Sequence, residues 1–127
     1  MPLNVSGAFH SPLMQPARDG LAAVLADVAF APSTFPVISN VLAQPVPGPM
    51  RARDLLVEQL TAPVRWWASV GCMLEMGAGR FVELGPGSVL TGLSRRIAKR
   101  VPARALGDVE SIEAFLREGA SVEKEDG

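Results

Sequence analysis

The stretch from Arg80 to Ile97 constrains the fold most. Arg80-Phe81-Val82-Glu83-Leu84 has the composition of a strand. It runs straight into Gly85-Pro86-Gly87, a pattern that demands a sharp turn. Ser88 then stands where a helix N-cap is wanted, and Val89, Leu90, Leu93 and Ile97 share one helical face. Arg95, Arg96, Lys99 and Arg100 gather on the opposite face and toward the C-terminal end, where cations suit the helix dipole. A strand that passes through a tight turn into an amphipathic helix is the repeating unit of an α/β layer with parallel strands.

The rest of the chain continues this alternation. Pro2 to Phe9 reads as a short strand. Pro12 suits the first turn of a helix, and Met14, Ala17, Leu21, Val24, Leu25 and Val28 give an apolar face from about Leu13 to Phe30. Asp19 and Asp27 fall off that stripe and should be wet. Phe35 to Val41 is a compact apolar run, expected as a doubly buried strand. Gln44 to Pro49 is a loop; Ala52, Leu55, Leu56 and Leu60 mark a helix that stops before Pro63. Thr61 and Pro63 are expected to open the next helix, which carries Trp66, Trp67, Val70, Met73 and Leu74 and ends at Gly77. Helical spacing makes at least one of the two tryptophans a core residue. Val101 to Leu106 is a short strand, and Asp108 caps a last helix with Ile112, Phe115 and Leu116 inside. Residues 1–118 thus read as part of one α/β domain and 119–127 as a solvated acidic tail. So few strands make a poor independent parallel sheet, which needs cover on both faces. The chain is therefore expected to be a piece of a larger domain.

Composition narrows the classes. Hydrophobic residues make up 48% of 127 positions, enough for a core and too many for a disordered chain. A formal net charge of -1 gives no broad basic surface for nucleic acid. The single cysteine, Cys72, excludes an intrachain disulfide and argues against a cysteine-based zinc site. No tract approaches a membrane span of about 20 apolar residues, and no secretory signal is visible at the start, so a cytoplasmic location is expected.

His10 is the only histidine, and it lies where the first extended segment hands over to a helix. A side chain at such a junction is fixed by two elements and can still face a cleft. Spacing alone allows a structural histidine that closes the junction as well as a proton-transfer residue. Ser11 is no obvious nucleophile, because no G-x-S-x-G elbow occurs in the sequence. The Gly85-Pro86-Gly87 turn lacks the Lys-Ser/Thr of a phosphate loop and the spacing of a dinucleotide loop, so it reads as a structural turn. Arg95, Arg96, Lys99 and Arg100 are either a solvated face or a docking patch for an acidic partner.

Four segments, "VSGAFHSPLM", "FPVISNV", "LLVEQLTAPVRW" and "FVELGPGSVLTGLSRRI", occur in this order. Together they resemble the C-terminal part of bacterial malonyl-CoA:acyl carrier protein transacylases and of the related acyltransferase domains of polyketide and fatty acid synthases. The likeness runs from about Leu3 to Phe115. It implies the end of a hydrolase-like parallel α/β subdomain, with one strand (about 2–9) from a ferredoxin-like small subdomain. By resemblance, His10 is the catalytic base and acid, and the main-chain carbonyl of Gln59 orients it, much as an aspartate does in a triad. Asn40 is expected to support the site, and Gly85, Pro86 and Gly87 to form a turn near it. Phe9 before His10 resembles the form typical of malonyl-using modules.

The implied chemistry is ping-pong malonyl transfer from coenzyme A to the phosphopantetheine thiol of acyl carrier protein, with no bound cofactor and no metal. The serine elbow, the oxyanion donors and the arginine that grips the malonyl carboxylate belong to the family's N-terminal part. The chain is thus expected to begin inside the small subdomain, to need that other half as a partner, and to be inactive alone. Two rival readings remain: a non-catalytic module that binds a carrier protein through the basic patch, and an acyltransferase piece of a polyketide synthase.

Overall fold

The computed structural model describes the backbone of residues 8–122 and the side chains of residues 8–118. Most of the strand expected at Pro2 to Phe9 lies outside these residues. Its last position, Phe9, is in a turn. The chain divides into two compact units, Met1–Cys72 and Met73–Gly127.

In the first unit, a single 3-10 turn, Pro12–Met14, leads into α1, Gln15–Ala26. Proline stands in the first turn of both, where a missing N–H leaves no hydrogen bond unmade. Helix α1 stops short of the expected Phe30, and the stretch after it holds Pro32 and Pro36. Met14, Leu21 and Leu25 are half-covered, while Val24 and Val28 stay exposed. Asp19 is exposed as expected and accepts a hydrogen bond from Gln15 at 2.8 Å. Helix α2, Pro49–Glu58, packs against α1 and buries Leu55. Its Arg51 and Glu58 pair two turns apart at 2.5 Å. Helix α3, Trp66–Glu75, supplies the fully buried Val70. Trp66 is half-covered and Trp67 is 71% exposed, so only the former is a candidate for the core.

The run Phe35 to Val41 is not a doubly buried strand. Phe35 and Val37 are exposed, and among the described residues the run pairs through one isolated antiparallel bridge, Ile38 to Pro45. Ser39 N–H donates to Gln44 O, Val46 N–H to Val37 O and Ala43 N–H to Ser39 O. Prolines 36, 45 and 47 remove the donors that a continuous ladder needs. The Ser39 hydroxyl accepts from the N–H groups of Val41 and Leu42 at 3.2 and 3.3 Å, offering the backbone a tight loop instead. Thr61 and Pro63 likewise do not open α3. They lie in an irregular stretch, and α3 begins only at Trp66.

The second unit is regular. The end of α3 is closed by Gly77, φ 89°, with bonds from Gly77 N–H to Leu74 O and from Ala78 N–H to Met73 O. That double bond is the Schellman pattern, which wants a residue without a Cβ. Strand β1, Phe81–Leu84, pairs in parallel with β2, Ala103–Leu106, in the register Phe81 to Ala103 through Leu84 to Leu106. Helix α4, Val89–Ile97, is the crossover and packs on both strands. Helix α5, Val109–Val122, packs on β2. Its backbone runs past Gly119, where a frayed tail was expected to start; residues 123–127 lie outside the described part. The buried apolar set of this unit is small: Ala98, Ala103 and Leu106. Leu84 and Val89 are more than 70% exposed. No helix among the described residues is long and apolar enough to cross a membrane.

Candidate active site

His10 sits in a turn with φ 57°, the left-handed region. Histidine tolerates it better than a branched side chain does, at a cost of roughly 1–2 kcal/mol. Ser11 closes this turn. Its hydroxyl donates to Ala8 O at 2.6 Å and accepts from Leu13 N–H at 3.3 Å, and its carbonyl takes the Met14 N–H at 3.0 Å. The Ser11 oxygen is thus engaged in shaping the turn, in line with its unsuitability as a nucleophile.

The His10 Nδ1 lies 2.7 Å from the main-chain oxygen of Gln59. A carbonyl only accepts, so Nδ1 carries the hydrogen and Nε2 keeps its lone pair. Among the described residues, no side chain or carbonyl holds Nε2, and His10 is exposed. Gln59 can serve this way because it is the C-cap of α2, where carbonyls lack a partner inside the helix. Its own N–H is spent on Leu55 O at 3.0 Å.

Asn40 joins the same cluster. Its Nδ2 donates to Gln59 Oε1 at 3.0 Å, and its carbonyl accepts from Arg65 N–H at 3.0 Å. Arg65 also donates from Nη1 to Leu42 O at 3.1 Å. Sequence reading singled out Asn40 and Gln59 only through the resemblance, and it passed over Arg65 altogether. No periodicity marks Arg65, since its partners are carbonyls of a non-repeating loop. Phe9, 66% exposed, precedes the histidine in the same turn.

The other predicted positions belong to the second unit. Gly85 and Gly87 have φ of 120° and 97°, so the turn after β1 requires glycine at both. A Cβ at Gly107 would come within 3.1 Å of Gly85 O, so the neighbouring loop is held close as well. Ser88 makes no side-chain cap to α4. Instead Glu83, reaching from β1, accepts from Leu90 N–H at 3.1 Å and Thr91 N–H at 2.7 Å. A carboxylate satisfies two orphan donors and opposes the positive helix end, which a serine hydroxyl does less well. The Thr91 side chain and N–H, with the Leu90 N–H, hold the Glu83 carboxyl below its usual range. The Thr91 hydroxyl itself makes no well-aligned bond, so the main-chain donors carry the cap. Asp108 does cap α5, accepting from Ser111 N–H at 2.8 Å, while the Ser111 hydroxyl accepts from Asp108 N–H at 3.2 Å. Those bonds, from the Ser111 main chain first and its side chain second, lower the Asp108 carboxyl.

Within the basic cluster, Arg95 is committed: Nε and Nη2 donate to Ala103 O at 3.2 and 2.7 Å. Arg96, Lys99 and Arg100 are exposed. Among the described residues, no group of three or more His, Cys, Asp or Glu could hold a metal ion.

Taken by itself, the first unit is a stretch of mixed helix and loop that presents one histidine, oriented through Nδ1 by a main-chain carbonyl and open at Nε2. The second is a small parallel α/β layer. No protein-family model matches the chain. It is 41% identical to the malonyl CoA-acyl carrier protein transacylase of Bacillus subtilis over 117 residues, 92% of this chain and 37% of the relative. It is 42% identical to that of Escherichia coli K12 over 116 residues, 91% of this chain and 38% of the relative. Among solved structures, the Streptococcus pneumoniae MCAT superposes with a TM-score of 0.84 at 37% identity, over 93% of this chain and 38% of the other. A type II PKS acyl-carrier protein in complex with its malonyl-transacylase superposes at 0.82 and 42% identity, over 93% of this chain and 38% of the other. In sequence and fold the chain is similar to the C-terminal portion of malonyl CoA-acyl carrier protein transacylases. It spans little more than a third of these relatives' length.

Proposed function

We propose that this chain provides the histidine half of a malonyl transfer from coenzyme A to the phosphopantetheine thiol of acyl carrier protein. The observation that carries the reading is the 2.7 Å contact between His10 Nδ1 and Gln59 O, which leaves Nε2 as the basic nitrogen. A serine from the family's upstream part attacks the malonyl thioester while His10 Nε2 takes its proton. The imidazolium returns that proton to the departing thiolate of coenzyme A. In the second half, His10 removes the proton of the carrier thiol, which attacks the acyl-serine, and the imidazolium returns that proton to the departing serine oxygen. The Gln59 carbonyl fixes the tautomer and the orientation of the ring, a part that an aspartate plays in a triad. Asn40 braces Gln59 from the side. Phe9, beside His10, has the form typical of malonyl-using modules and supports a malonyl preference.

Without the serine, the oxyanion donors and the carboxylate-binding arginine, the chain alone transfers nothing. The relatives' names support malonyl-CoA and acyl carrier protein as substrates. A second reading, docking of a carrier protein on Arg95, Arg96, Lys99 and Arg100, draws support from the related transacylase found in complex with its carrier. The test is complementation. The chain is joined to the upstream segment of the Bacillus subtilis relative, and malonyl transfer to carrier protein is measured. Transfer by the joined protein and none by either part is expected. Transfer by this chain alone, or none by a joined protein that folds, contradicts the reading.

A further inference from the structure

We propose that Arg65 is a positioning residue for His10, acting through Asn40 and Gln59 by clamping the 38–46 loop. The proposal rests on the reading of His10 as the base of an acyl transfer. Arg65 grips this loop twice: its N–H donates to Asn40 O at 3.0 Å, and its Nη1 donates to Leu42 O at 3.1 Å. At its other side it is anchored. The Arg65 carbonyl accepts the Ser69 N–H at 2.9 Å and the Ser69 hydroxyl at 3.0 Å, and Ser69 is 3% exposed on α3. A guanidinium beside a helix start usually seeks a carboxylate; here it donates to a loop carbonyl.

The loop's other bonds are internal to it. It has the bridge of Ile38 to Pro45 with its main-chain bonds, the local bonds of the Ser39 hydroxyl, and a buried Ala43 strained at φ 55°. Asn40 reaches the site through Nδ2, which donates to Gln59 Oε1 at 3.0 Å. Gln59 in turn closes α2, with its N–H on Leu55 O at 3.0 Å and the Ala62 N–H on its carbonyl at 3.4 Å. Its carbonyl must aim at an imidazole whose own backbone sits at φ 57°. The chain of contacts from Ser69 through Arg65, Asn40 and Gln59 to His10 is continuous. Past Arg65, each link joins positions that are distant in sequence.

Because His10 is the only histidine, its imidazole can be watched alone by nitrogen NMR on histidine-labelled protein. In the 127-residue chain the Nδ1–H tautomer is expected to dominate. Arg65→Ala is expected to lower the ratio of Nδ1–H to Nε2–H about tenfold, the worth of one hydrogen bond of ordinary net strength. Arg65→Lys, which keeps a donor toward Leu42 O, should restore most of it. Arg53→Ala removes an arginine of α2 that only grazes Ala26 O at 3.5 Å, and should leave the ratio unchanged.

An Arg65→Ala protein with displaced loop amides and an unmoved tautomer overturns the clamp. So does a wild-type imidazole with mixed tautomers. Where Arg65→Ala unfolds, Asn40→Ala is read in its place, and an unmoved tautomer there is equally fatal. The measurement uses no substrate, so it stands apart from the acyl-transfer reading. Lower transfer in the joined Arg65→Ala protein without a tautomer change would leave that reading intact and remove only the clamp.

Discussion

The two units of this chain are held together by different means. In the second, structure is periodic: two strands in parallel register, a crossover helix and two helix starts capped by carboxylates within eight residues of the N–H groups they serve. In the first, the decisive bonds are irregular and long in sequence. His10 meets Gln59 across 49 residues, Arg65 meets Leu42 across 23, and Asn40 meets Gln59 across 19. Periodic packing makes a scaffold, but it repeats. A single oriented imidazole needs one particular arrangement, and side-chain to main-chain bonds supply it.

The sharpest way to break this comparison is to remove the one well-buried aliphatic anchor of α2. Leu55 is 4% exposed, and Leu55→Ala is expected to destabilise the chain by about 3 kcal/mol in denaturant titration. The helix that presents Gln59 would then be loosened at its root, so the His10 tautomer should become mixed as well. Unchanged stability would show that the first unit draws its order from elsewhere.

How much of this was visible in the residues follows the same division. Arg80 to Ile97 announced a strand, a glycine-dependent turn and a helix, because alternation and helical spacing are local patterns. Asp108 and Gly77 were legible as caps, since capping residues act within a few positions. Ser88 misled: the cap of α4 comes from Glu83, across a turn whose path no local rule predicts. Phe35 to Val41 misled for a related reason, since apolar character outweighed three prolines in the reading and lost to them in the fold. His10 stood out as the only histidine, yet its partner Gln59 was reachable only through resemblance to a known family. A carbonyl acceptor leaves no mark on residue type, and so Arg65 passed unnoticed too.

Smaller effects sharpen the contrast from the side of the second unit. Reversing Arg96 and Lys99 together, Arg96→Glu with Lys99→Glu, should weaken binding of an acyl carrier protein about tenfold at low salt, and the difference should shrink as salt rises. Arg95 is left in place because it ties Ala103 O. Binding that ignores both changes removes the docking reading.

The smallest expected effect is a dependence of stability on acid. Glu83 and Asp108 both have carboxyls lowered by folding, from ordinary values of 4.5 and 3.8. Their contribution is therefore full above those values and is lost as pH falls through the lowered folded values. Glu83→Gln should flatten that part of the acid transition while leaving stability near neutral pH only slightly reduced. An identical acid limb in wild type and variant would show that the α4 cap is not ionic in its effect.

The most direct test of the central claim compares His10→Ala with Gln59→Ala in the protein joined to its upstream serine segment. The first deletes the imidazole, whereas the second keeps the main-chain carbonyl that holds it. The account predicts a loss of about a thousandfold in malonyl transfer for His10→Ala, and a loss within about tenfold for Gln59→Ala. Equal losses in the two variants, or a His10→Ala protein that transfers at the wild-type rate, would contradict it.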